Sequence, residues 1–207
     1  MSSEKNINTI ARIVSAVSSP LIVPTIAVFV SLWQTSLRFA PMLSRLLVLF
    51  MTLALTCMIP IISIFILYKL KIIKDPTLND RSDRFYPYTV SAVCYVGLAI
   101  FMGSVHAPWW LTSFIWGGAG LAVVAMTVTQ WWKISGHSLV MGGFSAFCYF
   151  LSLRGDFISP TDWILYTVLL WSGLVMTSRL ILNRHTLSQV LVGFATGFIV
   201  ISIAQIL

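Results

Sequence analysis

Residues 85–132 contain no Asp, Glu, Lys or Arg, and this run limits the fold more than any other feature. A helix needs about 20 apolar residues, at ~1.5 Å rise each, to cross a hydrocarbon core of ~30 Å. The run is about twice that length. It predicts two crossings folded as a hairpin at His106-Ala107-Pro108, with Trp109 and Trp110 at the interface. Shorter uncharged runs predict further spans at residues 13–33, 46–68, 134–153, 163–182 and 186–207, which makes seven crossings. Arg179 near the end of the sixth is accommodated by snorkelling.

Composition agrees. Of 207 residues 58% are hydrophobic and only 9% charged, and mean hydropathy is +0.92. Soluble domains carry roughly 25% charged residues, so this chain has too little polar surface to coat a globule. Disorder and a soluble nucleic-acid binder are excluded with it. Cys57, Cys94 and Cys148 lie in apolar runs, where a thiol behaves as a small hydrophobe, and three are too few for a disulfide scaffold. The first run exceeds a signal-peptide h-region, and no small-x-small site follows Trp33, so a cleaved leader is not expected. The expectation is an all-α, polytopic transmembrane helix bundle of six to seven spans. It forms one domain over 1–207, with its motif-bearing core at about 69–207.

Alternating crossings sort the polar connections onto two faces. One face receives the N-terminus, residues 69–84, residues 133–137 and residues 179–185; the other receives 34–45, the His106 turn and 154–162. Ten of the 13 basic residues fall on the first face, and only Arg38, Arg45 and Arg154 on the second. The positive-inside rule gathers Lys and Arg in this way. It does not explain a His beside the cations at two separate junctions, His137 and His185.

Each junction has a chemistry. Ser135-Gly136-His137 precedes a span, so that helix begins with a capping hydroxyl, a glycine and an imidazole. Free N–H groups at a helix N-terminus make an anion site, which glycine lets an oxyanion approach. His137 there can donate a proton to a leaving oxygen. Arg179 can fork two phosphate oxygens, and His185, after five intervening residues, can attack phosphorus. Gln189 lies four residues past His185, on the same helix face. In the 69–84 loop, Lys74 and Arg81 are seven apart and interspersed with Asp75, Asp80 and Asp83.

Together these patches resemble the type 2 phosphatidic acid phosphatase superfamily, whose pattern is K-x6-R-P, then P-S-G-H, then S-R-x5-H-x3-D. The third motif matches at Ser178, Arg179 and His185. The second matches at Ser135, Gly136 and His137, with Ile134 in place of proline. The first matches at Lys74 and Arg81, with Ser82 in place of proline. The resemblance implies that Lys74, Arg81 and Arg179, helped by Ser135 and the Gly136 N–H, bind phosphate. It makes His137 the general acid and His185 the nucleophile. No metal or other cofactor is implied, because cations and backbone donors supply the countercharge.

Two departures stand out. Gln189 replaces the aspartate that orients the nucleophilic imidazole; its amide oxygen can fix the tautomer but adds no negative charge. Removing the analogous carboxylate in serine proteases costs about 10⁴ in rate. Asp80 or Asp83 offers a substitute from the loop. The second departure is the hairpin between the first two motifs, where many relatives have one extramembrane loop.

The expected function is a metal-independent lipid-phosphate phosphatase in a bacterial cytoplasmic membrane. Its partners are the bilayer and an amphiphilic phosphomonoester or diphosphate, with no nucleic acid. The alternatives are a head-group transferase with the same phosphohistidine, or a non-catalytic anionic-lipid binder or transporter. Charge placement leans toward a cytoplasmic active-site face.

Overall fold

The computed structural model describes residues 2–158 and 162–207, with side chains from residue 5 onward. Part of the 154–162 connection, residues 159–161, therefore lies outside the described residues. The described chain is helical, with no strand, and six helices are long and apolar enough to cross a membrane. These are α3 (Met42–Lys69), α4 (Phe85–Ser104), α5 (Trp109–Val128), α6 (Gly136–Leu153), α7 (Trp163–Ile181) and α8 (Leu187–Ile206). Two more precede them, α1 (Ser2–Val17) and α2 (Val23–Gln34). The protein is an integral, multi-pass membrane protein.

The span expected at 13–33 is corrected: the chain breaks between Val17 and Val23. Pro20 and Pro24 lack an N–H to donate, and a residue before proline avoids the α conformation. Pro24 instead sits in the first turn of α2, where its missing donor is harmless. At 12 residues α2 is about 18 Å long, too short to cross alone. Six long helices result, not seven.

Parity nonetheless survives, because the break lies inside the bundle. The Trp171 indole, midway along α7, donates to Ser18 Oγ at 2.7 Å. From there α2 descends to the far face, where Gln34 O accepts from the Ile158 N–H at 2.9 Å. The expected hairpin forms as α4 and α5. Its turn places His106 at φ 55° in the left-handed region.

Within α3 the register slips to a π turn over Ala54–Met58, and the Ile59 N–H reaches back to Ala54 O. Pro60 follows; its ring clashes with the Thr56 carbonyl four residues back, which displaces the normal ladder.

The most enclosed helix is α6, whose Phe147 is fully buried and stacks on Phe114 with centroids 4.2 Å apart. Its closest partner is α8, and the contact is between backbones. A Cβ at Gly142 would run into the Phe194 carbonyl, and one at Gly197 into the Leu139 carbonyl. Small residues let membrane helices approach this closely. Here the approach brings the N-termini of both helices side by side, with the Ser135 N–H donating to Gln189 O at 3.4 Å.

Candidate functional site

Those two N-termini carry the histidines. Ser135 caps α6, its hydroxyl accepting from the Ser138 N–H at 3.4 Å and from Ser138 Oγ at 3.0 Å. Thr186 caps α8 in a reciprocal box: its hydroxyl accepts from the Gln189 N–H, and Gln189 Oε1 accepts from the Thr186 N–H at 3.2 Å. Gly136 and His137 thus open one helix, and His185 lies just before the other. All three line a cavity of about 240 Å³ with Arg179 and Arg84.

The capping box settles the chemistry of His185. Because the Thr186 N–H donates to it, the Gln189 atom is the oxygen. The same oxygen lies 3.1 Å from His185 Nδ1, so Nδ1 carries the proton and donates. Nε2 on the opposite edge of the ring keeps its lone pair. Burial pushes the imidazole pKa down to about 4; the Gln189 bond opposes this, and the cations Arg179, Arg84 and Lys133 add to it. His185 is therefore a neutral imidazole at neutral pH.

His137 is held from the other side. Its Nε2–H donates to Ser15 O on α1 at 3.1 Å, because a carbonyl can only accept. Buried Ser15 also meets Ser178 Oγ at 3.0 Å and accepts from Arg179 Nη1 at 3.3 Å. The N-terminal helix thus braces an imidazole and a guanidinium at once. Arg179 Nε is buried with no hydrogen-bond partner among the described residues.

Cations dominate the surroundings. Among the described residues no ion pair involves Arg84, Arg179, Arg184 or Lys133. Burial lowers the Lys133 pKa, and the charges of Arg84, Arg184 and Arg179 lower it further, against an opposing pull from Asp80. Positive charges close enough to depress one another, with little counter-charge, mark a site for an anion.

The sequence-derived residues divide. His137, His185, Gly136 and Arg179 line the cavity. Gln189 touches it through His185. Ser135 is fully buried and spends its hydroxyl on the cap. Lys74 and Arg81 are not brought in: both are exposed, and Arg81 donates instead to Gln130 O at 3.0 Å. The buried Asp83 carboxylate is used to fold the loop, accepting from the Lys74 and Asp75 N–H groups at 3.0 and 3.1 Å. It does not substitute for the missing aspartate, and Asp80 is exposed.

Sequence reasoning missed two contributors. Arg84 is buried at the cavity wall, its Nη1 donating to Ile134 O at 3.0 Å and its Nε to Leu78 O at 2.9 Å. The signal for it was Pro87 three residues on, which starts the next helix and marks where the loop re-enters the membrane. Ser15 had no signal at all. The loop from Pro76 to Asn79 walls another side of the cavity, and Arg184 donates to Asn79 Oδ1. No family model, curated protein or solved structure matches the chain, so function rests on this geometry and on the motif resemblance.

Proposed function

We propose that the protein is a lipid-phosphate phosphatase of the type 2 phosphatidic acid phosphatase superfamily. It hydrolyses a phosphomonoester or diphosphate whose hydrocarbon tail stays in the bilayer. The observation that carries this reading is the fixed tautomer of His185, with a free Nε2 lone pair in a cation-walled cavity shared with His137.

In the first step Nε2 attacks phosphorus, the P–N bond forms and the ester P–O bond breaks. His137, which takes a proton from the entering phosphate monoanion and keeps Nε2–H on Ser15 O, gives that proton to the leaving oxygen. Water then attacks the phosphohistidine, His137 takes its proton, and the P–N bond breaks to release phosphate. Arg179 and Arg84 hold the phosphoryl oxygens throughout. Gln189 orients the ring but adds no charge, so the positive charge on phosphorylated His185 is balanced by the phosphoryl group itself.

Neutral Gln189 and the exposure of Lys74 and Arg81 favour a second reading, a non-catalytic anionic-lipid binder. Phosphate release from detergent-solubilised protein, across a panel of lipid phosphates, separates the two. The enzyme reading expects turnover and an acid-labile, alkali-stable phosphoprotein. Binding without turnover on every substrate selects the binder, and phosphoryl transfer to an added alcohol in place of water selects a transferase. The excess of basic residues on this face supports a cytoplasmic orientation; labelling of a cysteine at Thr77 by impermeant maleimide in intact cells would reverse it.

A further inference from the structure

A second cavity, of about 330 Å³, lies at the opposite end of the bundle. Its wall comes from the α2–α3 connection, the first turns of α3 and the α4–α5 turn, including Arg45, Ser44 and His106. Arg45 is its charged residue, and no carboxylate lines it. The guanidinium stacks over the Trp33 ring, 5.1 Å from its centroid, while its Nε is buried and has no hydrogen-bond partner among the described residues. A face engaged on an aromatic ring leaves the edge of the fork to donate.

Arg179 in the first cavity carries the same signature, a buried Nε with no acceptor among the described residues. Arg45 is half-buried, and its buried Nε–H is the donor that requires an acceptor. Which acceptor follows from the surroundings. Arg45 and His106 sit at helix ends, the level of lipid head groups. Most of the remaining wall is apolar, including Leu32, Val48 and Leu111, and it continues onto exposed Leu47, Leu43 and Phe50. A soluble anion has no use for that surface, whereas a phospholipid fills both parts.

We propose that this cavity binds the phosphodiester head group of an anionic phospholipid, with Arg45 as its counter-ion and the acyl chains along α3. The site is independent of the chemistry assigned to the other face. The test uses the full chain in detergent, with phosphatidylglycerol and phosphatidylcholine as competing probes, and native mass spectrometry to count retained lipids. Wild-type protein should retain phosphatidylglycerol in about tenfold preference, and Arg45→Gln should lose it. Ser44→Glu offers the guanidinium an internal carboxylate with Arg45 still packed on Trp33, and should lose it too. This covers the case in which Arg45→Gln fails to fold. Equal retention of the two lipids by wild type, an undiminished preference in folded Arg45→Gln or in Ser44→Glu, or displacement of the lipid by excess inorganic phosphate would each overturn the proposal.

Discussion

Each end of the bundle presents an arginine whose buried Nε has no partner among the described residues, yet only one end adds further cations and two fixed imidazoles. At the far end Arg45 rests on Trp33, and the nearby His106 is exposed on a turn. At the other, Arg179 is joined by Arg84, Lys133 and two imidazoles, each fixed by a partner that can only accept. An arginine in a cavity is enough to seat an anion. The proposed reaction requires a nucleophile whose tautomer is decided before substrate arrives, and at His185 a helix cap fixes the tautomer.

The contrast can be broken most severely at His185. His185→Ala should lower phosphate release at least ~10³-fold while the protein stays folded in detergent. Activity near wild type in that variant would sink the phosphohistidine mechanism.

Next comes the choice between two neighbouring arginines. Arg84→Gln should cost about 10²–10³-fold in kcat/KM, whereas exposed Arg81→Gln should stay within ~threefold. The reverse ranking would show that the loop rearranges on binding and that the motif spacing, not the cavity wall, identifies the phosphate ligand.

Ser15→Ala sharpens the picture of α1 as a brace. It removes the hydroxyl that holds Arg179 and keeps the carbonyl that holds His137. The expected loss is about tenfold, falling on KM and on inhibition by inorganic phosphate, with kcat little changed. A fall in kcat alone would mean that α1 acts through His137 instead.

The smallest effect at neutral pH concerns protonation. A pKa near 4 means that His185 stays neutral, and therefore nucleophilic, until pH falls through about 4. The acid limb of kcat/KM, which reports free enzyme, should lie there and not near the ordinary value of about 6.5. Bound phosphate favours the imidazolium, so the limb of kcat should lie higher. A kcat/KM limb at 6.5 would show that His185 is not buried among cations in solution. The same shift sets a sign for stability. The unfolded chain binds a proton that the folded one refuses, so stability should decline as pH drops from about 6.5 to about 4 and then level off.

Much of the site was legible because helix ends are written locally. Ser135-Gly136-His137 reads as a cap followed by an imidazole, and that cap forms. Thr186-x-x-Gln189 is equally a capping box in the sequence, and it explains Gln189 better than comparison with an aspartate does. The loop was not legible in the same way. Lys74 and Arg81 carry the right spacing, but a loop has no period that tells which side chain turns inward. Asp83, pinning two backbone N–H groups, turns Arg84 in and leaves Arg81 out.

By itself the sequence determined the solvent, the number of faces and which junctions share one. Those follow from hydrophobic length and from parity, which depend on nothing distant. It also determined that two histidines would open two helices. Only the tertiary structure decided that 13–33 is not a span: many membrane helices tolerate prolines, but here the chain breaks after Val17 and the Trp171 indole holds Ser18 inside the bundle. It alone made Ser15 part of the site, through contacts more than 120 residues away in the chain. Such contacts depend on how closely helices approach; between α6 and α8, which carry the two histidines, the absence of side chains at Gly142 and Gly197 fixes that distance.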